Sequence, residues 1–505
     1  MDSASQIKIG AIVSYFSIGI NILIGLFYTP WVIHSIGKNN YGLYTLAQSV
    51  IALFVFDFGL SSAVTRFLAK YIAEGAKKQT DNCLGLICKI YLFIDVIIFL
   101  ILTCVFFFIP YIYREFSPEE LNNFKVVYCI ASVFSILSFP FIPVNGVLNA
   151  NEKFIQTKLC DLAHRLIIVV LMSGCLLLGY GLYALVSVYA VSGLMTIALK
   201  LICIRSFTST RVNFFYHNKK ELFGILSYSG WMTVVAIAQR CIFNIAPSIL
   251  GIFSGSETIA VFGVAMVLEE YIFTFAAALN GMFLPKVSRI ALSNQSDILP
   301  LMIKVGRIQI LIIGLIIIGF FILGHDFICL WLGPSFQEAF FCTVFLIIPS
   351  FIQLPEEIAT TAIAVMNQVK LQAYAFSAMA FVNIILSLLF TSLWGIIGLS
   401  LSICIAYLVR TAGMNIIYYK VLRIDIFCFF RESFFKMGIP LLVTLGFGLL
   451  LNNLIIANKW PIFIAKGMLF SLTYCSVMFF FAMNLSERQL VSNSMKHVLS
   501  IIKKS

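Results

Sequence analysis

The sequence predicts an all-α polytopic membrane protein with about fourteen transmembrane helices, arranged as two six-helix pseudo-symmetric lobes around a central cavity plus a C-terminal helix pair. Hydrophobic residues make up 61% of the 505 residues, charged residues make up 11%, and the mean hydropathy is +1.00. Apolar stretches of about 20 to 27 residues recur along the chain, each long enough to cross a bilayer as a helix with its backbone polar groups satisfied internally. Loops rich in Lys and Arg alternate with loops that hold few of them, as expected of a chain that crosses a membrane repeatedly.

Short loops join the predicted spans, so almost nothing is left for a domain outside the membrane. The first apolar stretch is too long for a signal peptide and is expected to remain as a span. In chain order the predicted spans cover residues 9–33, 41–65, 84–109, 126–148, 162–180, 183–203, 223–250, 258–283, 308–332, 341–366, 372–392, 395–417, 437–457 and 462–484.

The basic residues predict the orientation of the chain. The segments expected outside hold only Lys38, Arg114, Lys125 and Lys459, whereas the inside loops are basic, which predicts that both termini are cytoplasmic. The net charge of +12 is therefore interpreted as a set of topology signals facing anionic membrane lipid, and no nucleic-acid partner is expected. The thirteen Cys are scattered, so neither a metal site nor a cofactor is predicted.

An internal repeat indicates two lobes. Tyr41-Gly42 at the start of span two recurs as Phe262-Gly263 at the start of span eight, and the fourth and tenth spans both carry paired prolines. Parallel repeats of this kind predict a transporter with its site between the lobes, although two unrelated helical bundles can share such fragments by chance. The predicted divisions are an N-lobe (1–206), a cytoplasmic linker (207–222), a C-lobe (223–418), and a final helix pair with a cytoplasmic tail (419–505).

Arg240 is the clearest candidate for a substrate-binding residue. It lies within span seven, at least about ten residues from either end, where an ionised group costs several kcal/mol. Gln239 precedes it, and Asn244 follows four residues later on the same helical face. We expect this face to line a wet cavity in which Arg240 binds a phosphate through two hydrogen bonds. The alternative is a structural ion pair with a carboxylate on a neighbouring span.

Four carboxylates are candidates for coupling to an ion, either H⁺ or Na⁺: Asp57, Glu269, Glu270 and Glu356. Adjacent helical residues point about 100° apart, so Glu269 and Glu270 cannot both face one cavity. Glu269 is preferred because it aligns with Gln48 of the first repeat. For Asp57 and Glu269, the alternative is pairing with Arg240. For Glu356, which follows a proline with Glu357, it is a polar turn lining a cytoplasmic vestibule.

Other polar residues within spans receive simpler interpretations. Asn21 in span one is a weaker candidate for hydrogen bonds to sugars, and Gln48 is grouped with it as a substrate-binding candidate. Lys89, Arg410 and Lys466 are expected to extend to the inner lipid headgroups.

Three segments near the N-terminus carry a family resemblance. Residues 26–30 (LFYTP), 36–44 (IGKNNYGLY) and 57–66 (from Asp57-Phe58-Gly59 to Arg66) resemble the signature of polysaccharide-unit flippases. These are the O-antigen, Wzx-type branch of the multidrug/oligosaccharidyl-lipid/polysaccharide exporter superfamily. Residues 284–289 (LPKVSR) are similar to the same superfamily.

The resemblance implies a multi-pass protein of the bacterial inner membrane that has no enzymatic activity. Its substrate would be an undecaprenyl-diphosphate-linked oligosaccharide, moved by alternating access from the cytoplasmic to the periplasmic leaflet for O-antigen, lipopolysaccharide or other surface polysaccharide synthesis. Other polysaccharide-assembly membrane proteins would be possible partners. The cationic role in the cavity would belong to Arg240 and Arg66, and the coupling role to Asp57 or Glu269. Span one lacks the basic residues of the related peptidoglycan-precursor flippases, which argues against a lipid II substrate.

Two alternatives remain. A cation-coupled multidrug or organic-cation antiporter of the same fold would favour an acidic, aromatic cavity rather than a basic one. A membrane-embedded polysaccharide polymerase or glycosyltransferase would need a sizeable outside loop that carries catalytic acids. The longest outside loop here, near residues 111–124, is too short for that role.

Overall fold

Every regular element of the described chain is helical. The computed structural model describes residues 3–58, 60–208, 210–281, 283–293, 297–366, 368–489 and 492, and no strand occurs in these ranges. Gly59 of the sequence motif and most of the predicted cytoplasmic tail beyond residue 489 lie outside the described residues.

The first ten helices are α1 (Ser3–Ile36), α2 (Lys38–Phe54), α3 (Leu60–Ala73), α4 (Lys77–Ile112), α5 (Pro118–Ser138), α6 (Pro143–Ala150), α7 (Phe154–Leu177), α8 (Leu182–Phe207), α9 (Lys219–Phe243) and α10 (Ala246–Phe253). The others are α11 (Ser256–Gly281), α12 (Leu284–Ser293), α13 (Ile298–Leu332), α14 (Glu338–Ile347), α15 (Ser350–Val365), α16 (Val369–Leu422), α17 (Ile426–Phe430), α18 (Lys436–Leu454) and α19 (Trp460–Val477). Short 3₁₀ turns lie at Phe139–Phe141 and Pro334–Phe336, and π-helical turns lie at Arg431–Phe435 and Met478–Ala482.

The helices confirm the predicted fold class and the number of spans. In the described part of the chain, 11 helical segments are long and apolar enough to cross a membrane. The longest, α16, contains two predicted spans, because Gly395 turns the chain between them with a φ of 56° that favours glycine. The first two predicted spans correspond to α1 and to α2 with α3, which brings the number of spans to fourteen.

Four spans are interrupted near their middle. Prolines explain three of the breaks: Pro140 and Pro143 separate α5 from α6, Pro349 separates α14 from α15, and Pro247 lies in the first turn of α10 after the break in span seven. The first two of these are the fourth and tenth spans, in which the repeat had placed prolines. The break in span two, after Phe54, contains the polar side chain of Asp57 instead.

The chain divides into two compact units. The N-terminal unit comprises Tyr28–Gly263 and Ala373–Ser402, in which α2 packs on α5 and α3 packs on α6. The C-terminal unit comprises the described residues of Met1–Phe27, Val264–Gln372 and Ile403–Ser505, in which α13 packs against α15, α18 and α19. Its largest core cluster includes Ile310, Phe470 and Tyr474. The lobe limits given by the sequence remain predictions.

The two glycines of the repeat lie where helices α2 and α11 approach each other within the N-terminal unit. A Cβ atom on Gly42 would lie 2.0 Å from the carbonyl oxygen of Ser256, and one on Gly263 would lie 2.9 Å from Cγ2 of Thr45. Nearby, the Ser256 hydroxyl donates to the Glu120 carboxylate at the start of α5, and Lys38 pairs with Glu257 at 3.4 Å. The repeated glycines therefore serve helix packing.

Candidate functional site

The break in span two is held in place by the Asp57 carboxylate. Its Oδ1 accepts hydrogen bonds from the Ser61 backbone N–H at 2.9 Å, in the first turn of α3, and from the Tyr91 hydroxyl of α4 at 2.7 Å. An acceptor at this position satisfies an N–H that the helix start leaves without an intrahelical partner. Phe58, the next residue, has a φ of 46°, and its carbonyl accepts from the Thr233 hydroxyl of α9 at 2.5 Å. The break is thus tied to both α4 and α9.

Arg240 lies beside this break, in the last turn of α9. Its side chain is half-buried, and the guanidinium carbon is 5.9 Å from the centroid of the Phe56 ring. Phe56 stacks in turn on Phe58, with centroids 4.0 Å apart. Within the described part of this unit, no carboxylate lies within 4.0 Å of the guanidinium. A cation over an aromatic face keeps its charge stabilised while the N–H groups at its edge can still bind an anion.

The two neighbours of Arg240 take different positions. Asn244 is half-buried and caps the C-terminal end of α9, where its backbone N–H donates to the Arg240 carbonyl at 3.0 Å. Gln239 is exposed on α9. Arg240 and Asn244 therefore remain one turn apart at the break between α9 and α10, whereas Gln239 points elsewhere.

The remaining substrate-binding candidates are dispersed. Gln48 is half-buried on α2, about two turns before the break, and Arg66 is exposed on α3 and interacts with neighbouring residues. Asn21 is half-buried on α1 and belongs to the C-terminal unit. The structure thus brings Asp57 and Arg240 to one junction through the ring pair, and the roles of the other candidates stay predictions.

The other acidic candidates belong to the C-terminal unit. Glu269 is half-buried and Glu270 is exposed, as expected of adjacent residues on one helix. Glu356 is only 2% exposed and its Oε1 accepts a hydrogen bond from Asn415 at 2.8 Å, so its carboxylate lies in the packed interior between α15 and α16 rather than on an open surface. Glu357 beside it is half-buried.

Two of the side chains expected to reach the lipid headgroups are inside the protein instead. Lys466 is 1% exposed, and its Nζ donates to Asp326 at 2.8 Å and to Asn452 at 2.6 Å. Arg410 is 4% exposed. The prediction was wrong because it considered distance along one helix and ignored acceptors on neighbouring helices. Lys89 donates to the Tyr216 carbonyl at 3.0 Å.

Sequence reasoning also missed a second buried ion pair. Arg307 donates to Glu487 through Nε at 2.6 Å, and both side chains are buried. The only sequence signal for such pairs is that the spans hold opposite charges that each need a partner.

Among the described residues, no group of three or more His, Cys, Asp or Glu could hold a metal ion.

Comparison with known proteins identifies the family. The model of the family described as "Polysaccharide biosynthesis protein" matches residues 7–291. The chain is also 22% identical over 490 residues to the "Uncharacterized membrane protein EpsK" of Bacillus subtilis (strain 168), covering 94% of each.

Solved structures show the same fold at low sequence identity. "Lipid II flippase MurJ, inward closed conformation" superposes with a TM-score of 0.70 at 14% identity, covering 93% of this chain and 99% of that chain. An inward-facing multidrug resistance MATE family transporter of the MOP superfamily gives 0.65 at 15% identity, covering 83% and 99%. These likenesses confirm the fold, and the family model covers more than half of the chain. The chain therefore belongs to the polysaccharide biosynthesis protein family, as its N-terminal signature predicted.

Proposed function

We propose that this protein is a flippase that moves undecaprenyl-diphosphate-linked oligosaccharides from the cytoplasmic to the outer leaflet of the bacterial inner membrane by alternating access, with both termini cytoplasmic. A diphosphate-sugar head cannot cross hydrocarbon unaided, whereas its polyprenyl tail can stay in lipid. A protein that carries such a head needs a cationic group inside the membrane. Membership of a polysaccharide biosynthesis family supports this class of substrate.

The observation that carries the proposal is the environment of Arg240. Its guanidinium is half-buried against Phe56, and the described part of its unit offers it no carboxylate within 4.0 Å. A structural arginine in hydrocarbon would be expected to have a carboxylate or several carbonyls as partners. The planar fork of N–H donors matches a phosphate oxygen pair, which a lysine ammonium does not. Arg240 therefore acts as the anchor for the diphosphate.

The test is export in a strain that lacks the gene. Arg240→Ala should reach the membrane but lower export at least tenfold, and lipid-linked oligosaccharide should accumulate. Arg240→Lys should retain part of the activity because the charge remains. Arg114→Ala is the matched control, since Arg114 is exposed in a loop. Normal export by Arg240→Ala would overturn the proposal. Resistance to organic cations that depends on the protein, without any change in lipid-linked sugars, would favour the multidrug antiporter instead.

We assign ion coupling, to H⁺ or Na⁺, first to Glu269 and second to Asp57. Glu269 is half-buried on α11, and its neighbour Glu270 is exposed on the same helix. Glu269→Gln should weaken the dependence of export on the ion gradient, whereas Glu270→Gln is the matched control with the same change of charge. An unchanged response in Glu269→Gln would reassign the coupling.

O-antigen is the proposed end product, and analysis of the sugars that accumulate identifies the repeat unit.

A further inference from the structure

A basic cavity lies far from Arg240 along the chain, between the start of α4 and the loop that joins α8 to α9. Its volume is about 460 Å³. The side chains around it combine three bases, one carboxylate and two amides, namely Lys77, Lys78, Arg211, Asp81, Asn82 and Asn213, together with Val212. The bases exceed the carboxylate by two charges, so the cavity is cationic.

The loop is fastened to α4 by hydrogen bonds, so the cavity is already formed without a ligand. Asp81 accepts from the Arg211 backbone N–H at 2.7 Å through Oδ1, and from the Asn213 backbone N–H at 3.2 Å through its carbonyl. The amide of Asn213 also donates to Asn82 at 2.8 Å. Gly85 permits this approach, since a Cβ there would lie 1.9 Å from the Asn213 carbonyl oxygen.

The three bases around the cavity are available to an anion. Among the described residues, no carboxylate lies within 4.0 Å of the charged groups of Lys77, Lys78 or Arg211. Asp81 uses its carboxylate for the Arg211 backbone instead of the guanidinium. Lys77 and Lys78 form the first turn of α4, whose positive end adds to the attraction. Several cations around one small cavity favour a phosphate group over a carboxylate, because a phosphate offers more acceptor oxygens and more charge.

Apolar side chains beside the cavity indicate that the phosphate belongs to a lipid. Phe215 is 97% exposed, Phe214 is 49% exposed, and both follow the cavity residue Asn213 in the loop. Aromatic side chains next to bases are typical of the membrane–water interface, where the ring enters the headgroup region and the base meets its phosphate. The loop also lies on the side that the basic residues assign to the cytoplasm.

We propose that this cavity binds the phosphate of an anionic lipid headgroup in the cytoplasmic leaflet. Lys77, Lys78 and Arg211 hold the phosphate oxygens, and Phe214 and Phe215 insert beside the headgroup. The site is distinct from the junction at Arg240 and does not depend on what the protein transports.

The test measures lipid binding to the purified full-length protein in a nonionic detergent by microscale thermophoresis. The probes are short-chain phosphatidylglycerol, short-chain phosphatidylcholine and inorganic diphosphate. The variant Lys77→Gln/Lys78→Gln removes two cavity bases, and Lys219→Gln/Lys220→Gln is the matched control, because these exposed lysines begin α9 after the same loop. Arg211→Gln tests the third base while leaving its backbone bond to Asp81 intact. Melting temperatures check that each variant is folded.

We expect the native protein to prefer phosphatidylglycerol to phosphatidylcholine. A base near a lipid surface contributes about fivefold to binding, so the cavity double variant should lose about 30-fold in affinity and Arg211→Gln about fivefold. The control double variant should lose less than about threefold, because neither lysine lines the cavity and their exposed charges are screened by salt. Equal losses of lipid affinity in the two double variants would show that lipid is attracted diffusely by surface charge, and would overturn the proposed site. Absence of the lipid preference, or equally tight binding of inorganic diphosphate, would overturn the assignment to a lipid. Export assays on Arg240 variants are independent of all these outcomes.

Discussion

Replacing Gly42 with alanine tests the close contact between α2 and α11. The added Cβ would lie 2.0 Å from the Ser256 carbonyl oxygen and 3.2 Å from the Ala260 nitrogen, both of which are backbone atoms of α11 and cannot rotate away. Restoring an ordinary contact of about 3.4 Å requires the helices to separate by about 1.4 Å. Overpacking of this kind costs about 1–3 kcal/mol. The separation would also lengthen the hydrogen bond from Ser256 to Glu120, which adds about 1 kcal/mol.

The assay is thermal unfolding of the purified protein in detergent, followed by intrinsic fluorescence. We expect Gly42→Ala to lower the melting temperature by several degrees. In larger domains, each kcal/mol lost from the free energy of unfolding lowers the melting temperature by about 2–4 °C. Gly446→Ala is the matched control, because Gly446 is an exposed residue of α18 and an added Cβ there would meet no neighbouring atom within 4 Å. At this position the substitution favours helix and should leave the melting temperature unchanged or raise it.

Gly42, Ser256 and Ala260 all belong to the N-terminal unit, so the loss of stability should arise from the packing of that unit. If Gly42→Ala and Gly446→Ala share one melting temperature, α2 and α11 do not pack this closely and the reasoning fails.

Further variants address two other contacts. Gly263→Ala should destabilise the protein less than Gly42→Ala, because the added methyl meets a side chain, that of Thr45, rather than backbone. Adding Thr45→Ala to Gly263→Ala should restore the melting temperature. A loss of stability that the second substitution does not relieve would contradict this geometry. Tyr91→Phe should cost about 1 kcal/mol by removing one of the two donors to Asp57, and Asp57→Ala should cost more because it also removes the partner of the Ser61 N–H. Equal melting temperatures for the two would show that the helix-start bond contributes nothing.

The sequence was sufficient for features that depend on local pattern. Hydropathy gave the fourteen spans, and the prolines of spans four and ten mark real interruptions. The repeat selected Gly42 and Gly263, which lie at the α2–α11 approach. Each of these features is written in consecutive or regularly spaced residues, so no knowledge of packing is needed.

Features that depend on which helices meet could not be predicted. Lys466 and Asp326 are 140 residues apart and become partners only because α13 packs on α19. The cationic cavity likewise joins Lys77, at the start of α4, to Arg211, in the loop between α8 and α9. The signature motif contains Asp57, but the Tyr91 hydroxyl that holds its carboxylate follows from the packing of α3 and α4. Composition shows that such groups need partners, and only the tertiary structure shows which they are.

Arg307 and Arg240 differ in their partners, and this difference distinguishes a structural arginine from a functional one. Arg307 is 2% exposed and donates to Glu487 and to the carbonyls of Glu432 and Ala482, so its burial is compensated. Glu487→Ala would leave a buried charge without its carboxylate and should cost about 3–5 kcal/mol, and Arg307→Met/Glu487→Leu should recover most of that loss. Arg240→Met should leave the melting temperature unchanged or higher while export is lost, because no such partners stabilise its charge in the described part of its unit. If Arg240→Met lowers stability as much as Glu487→Ala, Arg240 is a structural residue and the anchor for the diphosphate lies elsewhere.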